Sequence, residues 1–431
     1  MKLVVTHTVD HFFRHESGKL VSVLSRLLGL QQLETAQDIV QDTLLQALNT
    51  WSFHGLPDNP SAWLYRVARN KAIDYLRRTR SWERIHPDYA YLLQYDTLST
   101  TLIDNFFEED EISDSQLKMI FACCHPSIPV ESQIALALRT LCGLSVKEIA
   151  RAFLTGEDTI TKRIFRAKEK IRSEQIDLQL PSGEMLRNRQ DSVLKCLYLL
   201  FNEGYNSSHP DHFIREELCE EAIRLCYMIS ISKWFDKPAT YALLALFCFQ
   251  ASRLQARSDD KGNIILLKYQ DRSKWYKPLI QQGFNFLNLA MTEPFENTAY
   301  HLEAAIAYLH ASVSTFETTD WKSIYFLYQK LEQIKPGPVV SLNLAIASAF
   351  VFDSVYALDL LLKIKGLDKY YIYHTSLAEL YVISGLYDKA RMHYSIAHQL
   401  TQSKQEKQLL YGKIQECNAQ EGNAEKVQKN L

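Results

Sequence analysis

LSVKEIARAFLTGEDTITKRIFRAKEKIR, residues 144–172, reads as two helices joined by a tight turn. Ser145 followed by Glu148, and Thr155 followed by Asp158, both fit the pattern in which a hydroxyl and a carboxylate satisfy the free amides that open a helix. Val146, Ile149, Ala150 and Phe153 form the apolar stripe of the first helix, and Ile160, Ile164, Ala167 and Ile171 repeat it in the second. The second helix is left with a strongly basic face: Thr159, Thr161, Lys162, Arg163, Arg166, Lys168 and Lys170. Its two early acids, Glu157 and Asp158, sit where the helix dipole favours negative charge. A short helix, a turn containing Gly156 and a longer basic helix make the helix-turn-helix pattern that lays a recognition helix in the DNA major groove. An ordinary helical corner with a solvated charged face would show the same pattern.

A chain of 431 residues exceeds one ordinary core and implies two to four domains. Its formal charge of −2 conceals local asymmetry, so the distribution of charge matters more than the sum. With 14 Gly, 12 Pro and no extended alternating runs, the expectation is an all-α protein. No apolar run approaches the length of a membrane span and the N-terminus lacks a signal-peptide core, so a cytoplasmic protein is expected. The eight cysteines include no C-x-x-C pair, and neither metal nor cofactor is expected. Adjacent Cys123, Cys124 and His125 lack a second ligand cluster, and burial of thiols at a helix end explains them.

Residues 8–29 carry Phe12, Phe13, Leu20, Val21, Leu24, Leu27 and Leu28 at helical intervals. A second helix, about Leu33 to Leu48, turns Ala36, Val40, Thr43, Leu44 and Ala47 inward and leaves Asp38, Gln41, Asp42 and Gln46 outside. That face is either merely solvated or a docking face for a basic partner. WSFHGLPDNP, residues 51–60, is a Gly- and Pro-punctuated loop whose rings would stack on an unpaired base or pack beneath the loop. A third helix from Ser61 to Arg80 turns Leu64, Val67, Ala68, Ile73 and Leu76 to the core. Outside it carries Arg66, Arg69, Asn70, Lys71, Arg77, Arg78 and Arg80 against the single acid Asp74, a face able to follow a phosphate backbone. From Asp96 to Leu117 there are seven acids and no Lys or Arg, which reads as a flexible acidic linker. A helix is then expected from Gln116, and another from Glu131 to Leu141 closed by Gly143.

The succession AQDIVQDTLLQAL, NPSAWLYRVARNKAIDYLRR, a linker and QIALALRTLCGLSVKEIARAFLTGEDTITKRIFRAKEKIR resembles bacterial extracytoplasmic-function sigma factors of the sigma-70 type. The resemblance covers residues 8 to about 175. It implies sigma region 2 over residues 1–90, an acidic linker over 91–115 in the RNA-exit path, and the region 4 helix-turn-helix over 116–178. The partners it implies are RNA polymerase core, through its largest and second-largest subunits, duplex promoter DNA and the melted non-template strand. Asp38, Gln41 and Asp42 match the helix that docks on the polymerase clamp. Trp51, Phe53, Trp63, Arg66, Arg69, Asn70, Lys71, Arg77 and Arg78 fall in the loop and helix that capture and open the minus-ten element. Thr159, Thr161, Lys162, Arg163, Arg166 and Lys170 fall on the helix that reads the minus-thirty-five element. Glu157 and Asp158 limit phosphate contact at its start and leave base preference open.

Residues 185–431 lie outside a minimal sigma factor. In LAELYVISGLYDKARMHYSIA the residues Ala378, Tyr381, Gly385, Tyr387, Ala390, Tyr394 and Ala397 have the spacing of a tetratricopeptide helix pair, and Ala357 precedes Ala390 by one repeat. Stacked pairs of this kind expose a surface for a protein partner. A subgroup of these sigma factors carries such an extension, and FNEGYNSS followed by FIREELCEEAIRL resembles its start. FNEGYNSS itself is either a binding loop or a helix end capped by Gly204. Asp259, Asp260, Lys261 and Gly262 suggest a turn into a short strand, Ile264 to Leu267, followed by Asp271, Arg272, Lys274 and Trp275. No nucleophile and base stand at diagnostic spacing there, so the chain is not expected to be an enzyme. The readings in competition with a sigma factor are a conventional helix-turn-helix regulator and a repeat-type interaction scaffold.

Overall fold

The computed structural model of the chain describes residues 2–79, 106–153, 155–179, 184–207, 213–231, 237–292 and 297–429. Arg80, residues 91–105 of the expected linker, Pro181 and Ser208 lie outside them. The described residues form two compact units, one of Met1–Leu200 with Glu220–Asp236, the other of Phe201–Cys219 with Lys237–Leu431. Regular structure in both is helical, and the described residues contain one isolated β-bridge, Ser258 to Ile264.

The first unit begins with α1 (Lys2–Leu28), α2 (Leu33–His54) and α3 (Pro60–Thr79). Leu20, Val21, Leu24, Leu27 and Leu28 of α1 are buried, together with Ala36, Val40, Thr43 and Ala47 of α2 and Leu64, Ala68, Ala72 and Leu76 of α3. Each set recurs at three- or four-residue intervals, so one stripe per helix leaves water. Helix α4 (Glu109–Cys123) starts earlier than expected. Glu109, Asp110 and Glu111 occupy its first turn, and Ile112, Ser115, Gln116 and Met119 are buried. Acids that read as linker therefore complement the positive end of a helix dipole. Arg26 of α1 holds this turn, with Nη1 2.5 Å from Glu111 and 3.3 Å from Asp114.

Helices α5 (Val130–Thr140), α6 (Val146–Ala152) and α7 (Glu157–Ser173) follow. Gly143 takes the left-handed conformation, φ 62°, just beyond α5. The opening of α6 is a complete capping box: Glu148 N donates to Ser145 Oγ at 3.2 Å, and Ser145 N donates to Glu148 Oε2 at 2.6 Å. The second expected box does not form. Helix α7 is capped by Gly156, because Thr155 belongs to the preceding turn, where its amide donates to Ala150 O at 2.8 Å.

Helices α8 (Glu184–Tyr205) and α9 (Glu216–Ser230) contribute residues to both units. Within the first unit, Arg189 Nη1 donates to Phe121 O at 2.8 Å and Arg224 Nη2 donates to Gln116 Oε1 at 2.8 Å. Cys142 and Cys196 are both buried in this unit. Gly204 lies inside α8 and caps nothing. A Cβ there would come within 2.8 Å of Cys219 N and 2.9 Å of Arg215 O, so this glycine lets the two helices meet backbone to backbone.

The second unit continues through α10 (Lys237–Ala251), α11 (Lys277–Ala290), α12 (Ala299–Ala311), α13 (Trp321–Ile334), α14 (Pro338–Val351), α15 (Ser354–Leu362), α16 (Tyr371–Ile383), α17 (Tyr387–Leu400) and α18 (Lys404–Lys429). From α12 onward each helix packs on the next along the chain. Ala357, Ala378, Tyr381, Ala390, Tyr394 and Ala397 share one buried cluster, as repeat spacing demands. Tyr394 is fully buried, and its hydroxyl donates to Glu379 Oε1 at 2.6 Å. The short strand expected over Ile264–Leu267 does not form. Asp259 instead folds the segment on itself, accepting from the amides of Lys261 and Asn263 at 2.9 and 2.8 Å, and Ile264 makes only the isolated bridge.

Candidate functional site

The first unit presents three polar faces. On α2, Asp38, Gln41 and Asp42 are all exposed, since the inward stripe through Ala36, Val40 and Thr43 turns them to solvent. On α3, Arg66, Asn70, Arg77 and Arg78 are exposed and Arg69 and Lys71 half-buried, so one face collects the cations. On α7, burial of Ile160, Ile164, Ala167 and Ile171 leaves Thr159, Thr161, Lys162 and Arg166 exposed. Arg163 is half-buried, its guanidinium 5.4 Å from the centre of the Phe153 ring. Lys170 pairs with Glu174 one turn on.

The aromatic segment divides. Trp51 is the correction: it lies in the last turn of α2 and is buried, 5.5 Å from Phe13 and 5.4 Å from the half-buried Trp63, ring centre to ring centre. Its large apolar surface gains more from this cluster than from water, so it supports the loop from beneath and is not placed to stack on a base. Phe53, in contrast, is 86% exposed.

An arrangement that local pattern does not disclose joins α7 to α2. Glu34 accepts from Arg172 Nη2 at 3.0 Å and lies 3.7 Å from Lys168 Nζ, which also donates to Gln37 Oε1 at 2.8 Å. Glu34, Asp38, Gln41, Thr161, Ile164 and Lys168 line a cavity of about 470 Å³. The expected docking face and the expected recognition helix thus look onto the same space. Their carriers touch through Gly18 of α1: a Cβ there would stand 1.9 Å from Leu141 O, at the end of α5. Glu34 and Gln37 escaped sequence reading because their partners lie far along the chain. The available signal was an acid and an amide on the side of α2 next to its docking face.

The eight cysteines are free and buried. Burial pushes the Cys123 thiol up to about 12, and its Sγ lies 3.6 Å from Thr140 Oγ1, the surroundings of a packed thiol. Among the described residues no three of His, Cys, Asp and Glu come together as a metal site, and no helix is long and apolar enough to cross a membrane.

Residues 12–82 match sigma-70 region 2 and residues 118–171 match sigma-70 region 4. A protein named ECF RNA polymerase sigma-E factor, from Haemophilus influenzae, is 32% identical over 160 residues, which cover 36% of this chain and 80% of that one. The chain is an extracytoplasmic-function sigma factor of the sigma-70 type. The sigma factor of the same printed name from Escherichia coli is 30% identical over 157 residues, 36% of this chain and 78% of its own. An uncharacterized protein of Rhizobium meliloti is 37% identical over 333 residues, 76% of this sigma factor and 78% of that protein. Beyond the two sigma regions, residues 189–291 match a family of unknown function, DUF6596, so this sigma factor carries a helical extension. No solved structure matches the chain.

Proposed function

We propose that this sigma factor binds RNA polymerase core through Asp38, Gln41 and Asp42 on α2, captures and opens the minus-ten element, and reads the minus-thirty-five element with α7. Phe53, Trp63, Arg66, Arg69, Asn70, Lys71, Arg77 and Arg78 act on the melted non-template strand. Thr159, Thr161, Lys162, Arg163, Arg166 and Lys170 act on duplex DNA. The observation that carries the reading is the presence of both a cationic α3 face and a basic recognition helix in one unit. A conventional helix-turn-helix regulator uses only the second. The sigma factor makes and breaks no bond; the polymerase does, in the cytoplasm.

The repeat-like extension over residues 185–431 modulates the sigma half and offers its stacked helices to a protein partner. Support comes from the continuous apolar cluster through Leu342, Ala357, Ala378 and Tyr394, which gives the array the neighbour-to-neighbour packing of a repeat domain. Promoter-dependent transcription with purified core polymerase tests the whole proposal. Core plus full-length chain should initiate at a two-element promoter, with initiation lost when either element is scrambled. DNA binding without initiation would make the chain a conventional regulator, and neither activity would make it a scaffold.

A further inference from the structure

The C-terminal unit holds a cluster of positive charge to which no acid is paired among the described residues. Arg253 follows α10, Arg272 and Trp275 precede α11, and His310 closes α12. The Arg272 guanidinium lies 4.0 Å from the centre of the Trp275 ring and donates through Nη1 to the His310 carbonyl. Arg253 lies 5.6 Å from the same ring and 5.8 Å from that of Tyr205 at the end of α8. Arg257 completes the group, 3.8 Å from Tyr205 and 4.5 Å from Phe213, and donates to the Tyr205 carbonyl.

Stacking on a ring uses the flat face of a guanidinium and leaves its in-plane N–H groups to find acceptors. Here the two carbonyls take only one N–H group each of Arg272 and Arg257, and others are left over. Arg253 Nε, Arg272 Nε and Nη2, Trp275 Nε1, the Tyr205 hydroxyl and His310 Nδ1 are shielded from solvent and lack hydrogen-bond partners, and Trp275 is only 3% exposed. No carboxylate lies within ion-pair distance of Arg253, Arg257 or Arg272 among the described residues. The acid whose charge acts on Arg272 is the exposed Glu317, while Asp271 spends its Oδ1 on the amide and hydroxyl of Ser273. Burial, then Arg253, then Arg272, push His310 down to about 3, so the imidazole is neutral and can present Nδ1 as donor or acceptor according to its tautomer. Buried donors and charges are normally paired, and so many unpaired in one place are a cost that a bound acceptor removes.

We propose that Arg253, Arg272, Trp275, Tyr205 and His310 form the binding site for a small oxyanion, the phosphate or carboxylate group of a small molecule. Arg272 supplies two in-plane donors, the arrangement that takes a planar or tetrahedral oxyanion in a fork. Arg253 adds a second positive charge, and the Trp275 and Tyr205 rings wall the site. The extension is thereby a ligand-responsive element, a role independent of whether the other unit initiates transcription.

The test uses the full-length chain in phosphate-free, carboxylate-free buffer at low salt. Titration calorimetry and thermal unfolding are followed with inorganic phosphate, a phosphomonoester, acetate and succinate. Saturable binding of one class with a rise in unfolding temperature is expected, and which class wins identifies the headgroup. Arg253→Gln and Arg272→Gln should each weaken binding at least tenfold, while Arg391→Gln, on an exposed helix face, leaves it unchanged. Because Arg253→Gln removes repulsion, it should also unfold at a higher temperature than wild type when no anion is present, a readout that a purely structural arginine would move the other way. Absence of saturable binding by every probe, or equal binding by wild type and both variants, overturns the proposal. So does an Arg253→Gln variant that is destabilised without anion.

Discussion

Gly18→Ala is the substitution that most directly asks whether the contact between the two sigma regions restrains the recognition helix. An added Cβ would stand 1.9 Å from Leu141 O, whereas a carbon and a carbonyl oxygen touch at about 3.4 Å, so α1 and the end of α5 must part by about 1.5 Å. Both partners are backbone and cannot swing aside. Overpacking of this kind costs about 1–3 kcal/mol, charged only to the closed arrangement. The gain from replacing glycine inside a helix, about 0.5–1 kcal/mol, accrues to α1 whether the contact is made or broken, and cancels. The ratio of closed to open molecules should therefore fall by about 5- to 150-fold. Since α5 packs on α7 and α1 on α2, parting them also stretches the Arg172–Glu34 and Lys168–Glu34 pairs. The assay is fluorescence anisotropy of the free full-length chain with a promoter duplex, paired with amide hydrogen exchange across residues 141–172. Gly18→Ala should bind DNA more tightly and exchange faster over that stretch. Adding Glu34→Gln should then do little more, as both act on one equilibrium. A folded Gly18→Ala chain with wild-type exchange and wild-type DNA affinity would refute the reasoning.

Other outcomes follow from the same geometry. Arg166→Ala should lower affinity for the upstream promoter element by about 1–3 kcal/mol if it reads a base edge, relaxing preference at one position, and otherwise flatten the salt dependence for all sequences; binding titrations over a salt series decide. Asp38→Lys with Asp42→Lys should weaken capture by core polymerase with the circular dichroism spectrum unchanged, because both side chains are exposed. Ser145→Ala should cost about 1 kcal/mol in urea unfolding of the first unit, since it removes the acceptor for the Glu148 amide. His310 has its pKa depressed when folded, so its contribution to stability is present above the ordinary histidine value and lost as pH falls from about 6.5 toward about 3; His310→Gln should flatten that acid limb of a thermal-melt series. Ending the chain near Pro181 removes the buried Val193, Leu194, Cys196 and Leu197 and the Arg189 bond to Phe121, so the shortened protein should melt lower and expose apolar surface to a dye that binds it.

What could be read from the chain alone was local. The Ser145 cap and the Ile160–Ile171 stripe depend on neighbours within a turn or two, and both stand as expected. The Ala357 to Ala390 repeat was legible because a small residue must recur wherever paired helices come close. Thr155 failed as a cap because the same hydroxyl-then-acid spacing serves a turn residue equally well, and the backbone bond from its amide back to Ala150, closing the turn after α6, decided between them. The acids before Gln116 looked like linker since charge alone does not separate a solvated run from a helix start; the spacing of Ile112, Gln116 and Met119 held the answer. Trp51 looked like a base-stacking ring because loop aromatics and core aromatics share one alphabet, and only the approach of Phe13 and Trp63 distinguishes them. Glu34 with Arg172, and the ring-stacked arginines of the extension, join residues so far apart in sequence that no periodicity marks them.

Helix α2 holds the recognition helix with Glu34 and Gln37 and, scarcely a turn further on, carries the acids through which it would meet polymerase. Two occupants of adjoining ground on one rigid rod are energetically coupled, and such coupling runs both ways. Polymerase arriving at Asp38 and Gln41 would evict the basic helix, and DNA seizing that helix would clear the ground for polymerase. A lone molecule would then keep the Lys168–Arg172 end of that helix tethered to α2 while Thr159, Lys162 and Arg166 stay open to DNA, so that the enzyme's arrival changes how freely the helix can be aimed.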